Sequence, residues 1–220
     1  MLILQYYPKP FWDDQPCYIQ MLVEKIDLRS LFEPICEKYN IPIATAKGWA
    51  SIRQRKEIVS RYQEYERQSK TPVLLYCGDL DPSGKLISDN IKSNLDSLCR
   101  ATGWRPTNLV IDRFGLNKDF VDENELTWID NLETGSGKNL SYPKHRDHFK
   151  PYVQDYIKEI GIRKCEANTL VVAPEMGRQL CQSAIDEYIS AAAAQEHGKY
   201  IKREQNKAKV QMEKLIANMK

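Results

Sequence analysis

The sequence predicts an α/β fold built on a parallel sheet, and three observations carry that expectation. Strand-like apolar runs alternate with segments of helical periodicity through the first half of the chain. One run, TPVLLYC (71–77), is apolar without interruption, as a strand covered on both faces must be. The run at 18–24 ends on a carboxylate, and the run at 71–77 is followed within a few residues by two more. In parallel sheets those carboxyl ends are where ligands bind.

The elements follow in order. YIQMLVE (18–24) reads as a strand closed by Glu24. Leu28, Leu31, Phe32, Ile35, Cys36 and Tyr39 recur at helical spacing, with Asp27 placed to cap that helix. Pro34 predicts a kink in it or a late start. IPIATA (41–46) is the second strand, broken by Gly48, and Ser51 can cap a helix running to Gln68. TPVLLYC is the third strand. Asp81 at the N-cap and Pro82 at the first helical position then open a helix through Leu98.

NLVIDRFG (108–115) is a fourth strand. Residues 117–150 are weakly periodic and rich in Asn, Asp, Gly and Lys, which predicts loop with short helices. Residues 151–160 read as helix and KCEANTLVV (164–172) as a strand. A long helix from Pro174, broken at Gly198, runs to the C-terminus. Alternation of this kind, sustained over about 80 residues, implies right-handed βαβ crossovers. The expected division is a core at 1–115 with a short lead-in, and an α-rich C-terminal extension at 116–220. The extension completes the sheet and ends in a long helix.

Bulk properties narrow the class. A chain of 220 residues can bury a core without disulfide or metal staples. At 42% hydrophobic and 28% charged it reads as globular rather than disordered. The net charge of +2 does not announce a nucleic-acid binder, so any basic footprint must be local. Six scattered cysteines without a C-x-x-C pair predict free thiols in a reducing compartment. The apolar start at 1–7 is too short for a signal peptide, and no apolar run is long enough for a membrane span. The expected location is cytoplasmic.

The chemistry-bearing stretch is LLYCGDLDPSGKLI (74–87). Spacing of two places Asp79 and Asp81 on one face of an extended segment. With Glu24 at a neighbouring strand end, they would form an acidic pocket. Hard oxygen ligands suit Mg2+, and Mg2+ suits phosphate chemistry. Free N–H groups at the start of the following helix favour phosphate too. Capping alone accounts for Asp81, but it gives no reason for Asp79.

The order Glu24 after one strand, Gly48 after a second and Asp79-Leu80-Asp81-Pro82-Ser83-Gly84 after a third resembles the TOPRIM domain of topoisomerases, bacterial primases and some nucleases. V-E-K (23–25) and G-D-L-D-P-S-G (78–84) are similar to the topoisomerase VI A subunit and its meiotic double-strand-break relatives. FWDDQPCYIQMLVEK (11–25) also resembles phage and plasmid proteins of that branch. The likeness covers 11–95 well and extends loosely to 189, where CEANTL (165–170) is similar to a segment that reads E-L-D-A-L in those relatives.

The resemblance implies a Rossmann-like TOPRIM sheet, Mg2+ as cofactor and DNA as partner. Asp79 and Asp81 would ligate the metal, and Glu24 would be a ligand or the general acid/base at the leaving oxygen. Gly48 and Gly84 would allow close approach to phosphate, and Lys25, Lys47 and Arg55 would contact it. Glu166 is an outside candidate for the acidic pocket. The chain departs from those relatives at Ala50-Ser51, where they have Pro-Asp. The nucleophilic tyrosine of the topoisomerases lies on a winged-helix domain preceding TOPRIM. Tyr6 and Tyr7 lack that context, so a tyrosine-bearing winged-helix partner is expected, together with a homodimeric arrangement.

The resulting expectation is a cleavage module acting on the DNA phosphodiester backbone. The alternatives are a free-standing metal-dependent nuclease and a non-catalytic DNA-binding or assembly module. A D-x-D phosphatase fits less well, because Pro82 and Gly84 suit TOPRIM better. TGSGKN (134–139) lacks the glycine and the Ser/Thr of a Walker loop, and reads as a loop near nucleic acid. HRDH (145–148) lacks further metal ligands nearby and reads as a solvated loop. The basic segment from Lys199 reads as an exposed helix, and Trp49 is the best candidate to stack a base.

Overall fold

The computed structural model describes residues 9–46, 51–135 and 137–217. Among them, one sheet is formed by β1 (Cys17–Val23), β2 (Ile43–Thr45), β3 (Thr71–Cys77) and β4 (Val110–Gly115). All its pairings are parallel, and the strand order is β2-β1-β3-β4. The helices are α1 (Ile26–Lys38), α2 (Ile52–Arg67), α3 (Pro82–Asp96), α4 (Cys99–Thr102), α5 (Lys118–Glu123), α6 (Pro151–Glu159), α7 (Asn168–Val172), α8 (Pro174–Asp186) and α9 (Ala191–Ala217). The chain is thus α/β, with a parallel sheet between helices and a helical C-terminal region.

Layering follows from the handedness of the crossovers. The α1 connection runs outward from β1 to β2. The α2 and α3 connections run the other way across the sheet and cover its opposite face. α7 and α8 pack on α1, and α8 also reaches β4. With both faces covered, β1 is buried at every position and β3 at every position but Thr71. The one polar side chain inside β1, Gln20, is satisfied: its amide donates to the Ile58 carbonyl and its oxygen accepts from Arg61. The buried Tyr62 hydroxyl of α2 donates to the Val73 carbonyl at 2.9 Å, tying that layer to β3.

Several elements differ from expectation. Asp27 does not cap α1. Lys25 is the N-cap and Asp27 lies in the first turn, where its charge favours the helix dipole. α1 runs through Pro34 rather than starting after it. Ser51 is the N-cap of α2 but makes no side-chain capping bond. Segment 164–172 is not a strand. Lys164 and Cys165 make single antiparallel bridges, to Ile129 and Leu80, and α7 follows at once. Leu80 stands alone between β3 and α3, so Cys165 has no run of residues to pair with.

The extension therefore adds no strand to the sheet among the described residues. The break in the C-terminal helix falls at 187–190, not at Gly198, which lies inside α9. Ser190 makes the restart: its hydroxyl accepts from the Ala193 N–H at 3.3 Å. The six cysteines are free, and all but Cys99 are buried. Among the described residues no helix is long and apolar enough to cross a membrane.

Candidate functional site

The strand order reverses direction at β1. The chain moves one way to β2 and then crosses back to β3, so the crevice between the carboxyl ends of β1 and β3 is a topological switch point. Register decides what meets there. Val23 pairs with Cys77, and the Glu24 N–H continues the ladder to the Cys77 carbonyl at 2.9 Å. Glu24 is thereby set beside Gly78, one residue before Asp79.

The contacts are specific. Glu24 Oε2 accepts from the Asp79 N–H at 2.7 Å, with the Tyr76 hydroxyl at 3.5 Å. Asp79, only 8% exposed, accepts the Ala167 N–H on Oδ1 at 2.7 Å and holds Lys25 Nζ on Oδ2 at 3.0 Å. Lys25 also lies 3.7 Å from Glu166, whose other oxygen is 3.4 Å from Lys164. Asp81 is the N-cap of α3 and accepts the Gly84 N–H at 2.6 Å. Beneath the loop, the Arg113 guanidinium donates to the carbonyls of Asp79 at 2.6 Å and Gly84 at 2.8 Å.

The charges respond to this crowding. Burial and then the charge of Asp79 raise the Glu24 carboxyl to about 7, against the lowering effect of the Asp79 N–H bond. Burial also raises Asp81, opposed by its bond from Gly84. Burial alone would lower Lys25, but its bond to Asp79 and the surrounding acids outweigh that and raise it.

A stability prediction follows from Glu24. Its folded-state pKa lies above its unfolded value, so the unfolded chain releases the proton first and stability falls as pH rises through about 4.5 to 7. Glu24→Gln keeps an acceptor for the Asp79 N–H and removes the charge. The variant is expected to melt about 2–6 °C above the parent at pH 8 and level with it near pH 4, a gain of about 1–2 kcal/mol. Thermal melts across that range check this.

The donor set suits Mg2+ in kind: hard oxygens, close together, carrying excess negative charge. The three carboxylates expected from the sequence lie at this corner, but they are not drawn around one point. Among the described residues no three His, Cys, Asp or Glu side chains stand where they could hold one metal ion. The physical reason is that Lys25 already sits on Asp79 Oδ2, and a backbone N–H engages one oxygen of each acid. One oxygen each of Glu24 and Asp81 carries no hydrogen bond among the described residues. Mg2+ commonly takes only one or two carboxylates with water, and a free oxygen on each of these two is the kind of ligand that arrangement uses.

The structure thus brings together Glu24, Lys25, Asp79, Asp81, Gly84 and Glu166. It does not bring Arg55 to them. Arg55 donates to the Asn94 carbonyl at 3.4 Å, near the far end of α3 and about 20 Å along that helix from Asp81. Lys47, Gly48 and Trp49, like Tyr6 and Tyr7, lie outside the described residues. Four participants were not anticipated: Arg113, Lys164, Tyr76 and the Ala167 N–H. For Arg113 there was a signal, a cation inside an otherwise strand-like run. Comparison with protein-family models, curated proteins and solved structures gives no match.

Proposed function

We propose that the chain is a Mg2+-dependent protein of the TOPRIM kind that acts on the phosphodiester backbone of DNA. The observation that carries this reading is the meeting of Glu24 with Asp79 and Asp81 at the switch point of the sheet, with Glu24 raised to about 7. Glu24 and Asp81 would hold the metal, and Asp79 would join them once Lys25 releases it. Bound there, Mg2+ supplies neutralisation of the charge that develops on a phosphate oxygen. Where Glu24 is not itself a ligand of the metal, its raised carboxyl would serve as the general acid/base at the leaving oxygen. Lys25 compensates the acids when they carry no cation.

The nucleophile is either water or a tyrosine brought by a winged-helix partner, and a homodimer is the arrangement in which two strands would be cut together. A second reading, a non-catalytic DNA-binding or assembly module, is favoured by the Lys25–Asp79 pair, which satisfies the cluster without a cation. Incubation with supercoiled plasmid and Mg2+ separates these. Nicked or linear product that needs Mg2+ and vanishes in Asp81→Asn supports the nuclease form. A covalent adduct formed only with an added winged-helix protein supports the two-part machine. DNA binding without cleavage in either setting supports the module and overturns catalysis.

A further inference from the structure

A second feature lies beside the acidic cluster. A cavity of about 830 Å³ opens at Ser83, two residues after Asp81, and is lined on its other walls by Lys138, Tyr142, Lys144, Arg146 and Tyr152. Its size is that of a site for a sizeable ligand. The segment 138–150 carries four Lys or Arg against a single acid, Asp147. That acid is already spent on Lys150 at 2.6 Å and Arg146 at 3.4 Å, with its side chain only 14% exposed. Lys138 and Lys144 make no ion pair among the described residues.

The aromatic side chains are as unevenly placed as the charges. Among the described residues the exposed aromatics are Tyr142 at 63% and Phe149 at 73%, and both belong to this segment. Yet the segment is held in shape. Leu140 is buried and its N–H bonds to the Leu132 carbonyl. Successive turns close from His145 to Tyr142, from His148 to His145 and from Lys150 to Asp147. His148 Nδ1 contacts the Leu140 carbonyl at 2.8 Å, and the His148 ring meets Phe149 edge-on. A fixed loop that displays two aromatic faces among four cations and a single acid matches a stacking surface with a phosphate track.

We propose that this loop binds single-stranded DNA, its bases stacked on Tyr142 and Phe149 and its phosphates on Lys138, Lys144 and Arg146, so that the strand runs past Ser83 into the acidic cluster. The inference rests on the function proposed above and gives it a substrate form, a strand unpaired at the site, as the underwound stretches of supercoiled plasmid supply. Duplex DNA keeps its bases stacked on one another and cannot offer them to Tyr142 or Phe149.

The test is fluorescence anisotropy with the full chain, a labelled single strand of about 12 nucleotides and its duplex, in EDTA so that no cleavage intervenes. The single strand is expected to bind more tightly than the duplex. Tyr142→Ala and Phe149→Ala should each weaken it about tenfold, and Tyr142→Phe should restore it. Lys138→Ala with Lys144→Ala should lower the slope of log affinity against log salt by about 1.4. Equal affinity for duplex, or alanine variants that bind like the parent, overturns the inference.

All these side chains are exposed, and melting curves matching the parent confirm folding. The two proposals fail separately. Mg2+-dependent cleavage with silent Tyr142 and Phe149 leaves the function and removes this surface. Strand binding that depends on Tyr142 and Phe149 without any cleavage leaves this surface and removes the catalytic reading.

Discussion

Asp79→Asn is expected to lose Mg2+-dependent plasmid cleavage by about a thousandfold, the equivalent of several kcal/mol of charge stabilisation at the metal. The fold should survive. Asparagine still presents an Oδ1 to the Ala167 N–H, and the loop carbonyls remain on Arg113. What goes is the pair with Lys25. That lysine is 26% exposed and keeps Glu166 within reach, so the stability loss should be about 1–2 kcal/mol rather than that of a fully buried ion pair. Asp79→Ala should cost a further 1–3 kcal/mol or so, because the Ala167 N–H is then buried without a partner. Nicking gels and thermal melts on the two variants read the two effects apart. If Asp79→Asn cleaves like the parent, Asp79 takes no part at the metal.

Gly84→Ala should damage the fold itself. A Cβ there would stand 2.2 Å from the Asp79 carbonyl oxygen, inside any tolerable contact. The oxygen cannot retreat, because Arg113 holds it at 2.6 Å. Helix propensity pulls the other way by only about 1 kcal/mol. We expect a net loss of about 3 kcal/mol and a fall in Tm of about 6–12 °C, with cleavage lost as Asp79 is displaced.

Gly78→Ala makes the contrast. Its Cβ would meet side chains rather than backbone: Glu24 Oε2 and the Tyr76 hydroxyl, each at 2.5 Å, and Tyr76 Cζ at 2.9 Å. Glu24 can swing, but the Tyr76 ring is fully buried and must shift as a whole. That variant should lose about 1–3 kcal/mol as the buried ring is overpacked, no more than Gly84→Ala, and lose activity, since Glu24 is pushed from the Asp79 N–H. Differential scanning calorimetry on the pair checks the order.

Most of the sheet was legible in the sequence because burial on both faces leaves a mark. TPVLLYC is β3 residue for residue, and the Asp81-Pro82 signal opens α3 where expected. The grouping of Glu24 with Asp79 was legible because both lie just past parallel strands, which only register can bring together. What escaped was set by long-range contact. Val171 and Val172 suggested a strand, but Leu80 offers a single partner, and the Ala167 N–H goes to a carboxylate 88 residues earlier. Nothing local could foretell that. The partner of Lys25 was hidden for a similar reason. A basic residue beside an acid was assigned to phosphate, whereas the fold first sets it against Asp79.

Arg113 separates architecture from chemistry in this loop. It grips main-chain oxygens, which every residue type possesses, and makes no hydrogen bond to the acidic side chains themselves. The bend after β3 is therefore braced by hydrogen bonds that do not depend on which side chains stand at 79 and 81, although the guanidinium charge also favours the Asp81 carboxylate. A designer could exchange those two residues for other types that still accept from the Ala167 and Gly84 N–H groups, giving up the pair with Lys25. The same indifference makes the frame reusable: a chain that abandoned its first chemistry could keep this corner and furnish it differently.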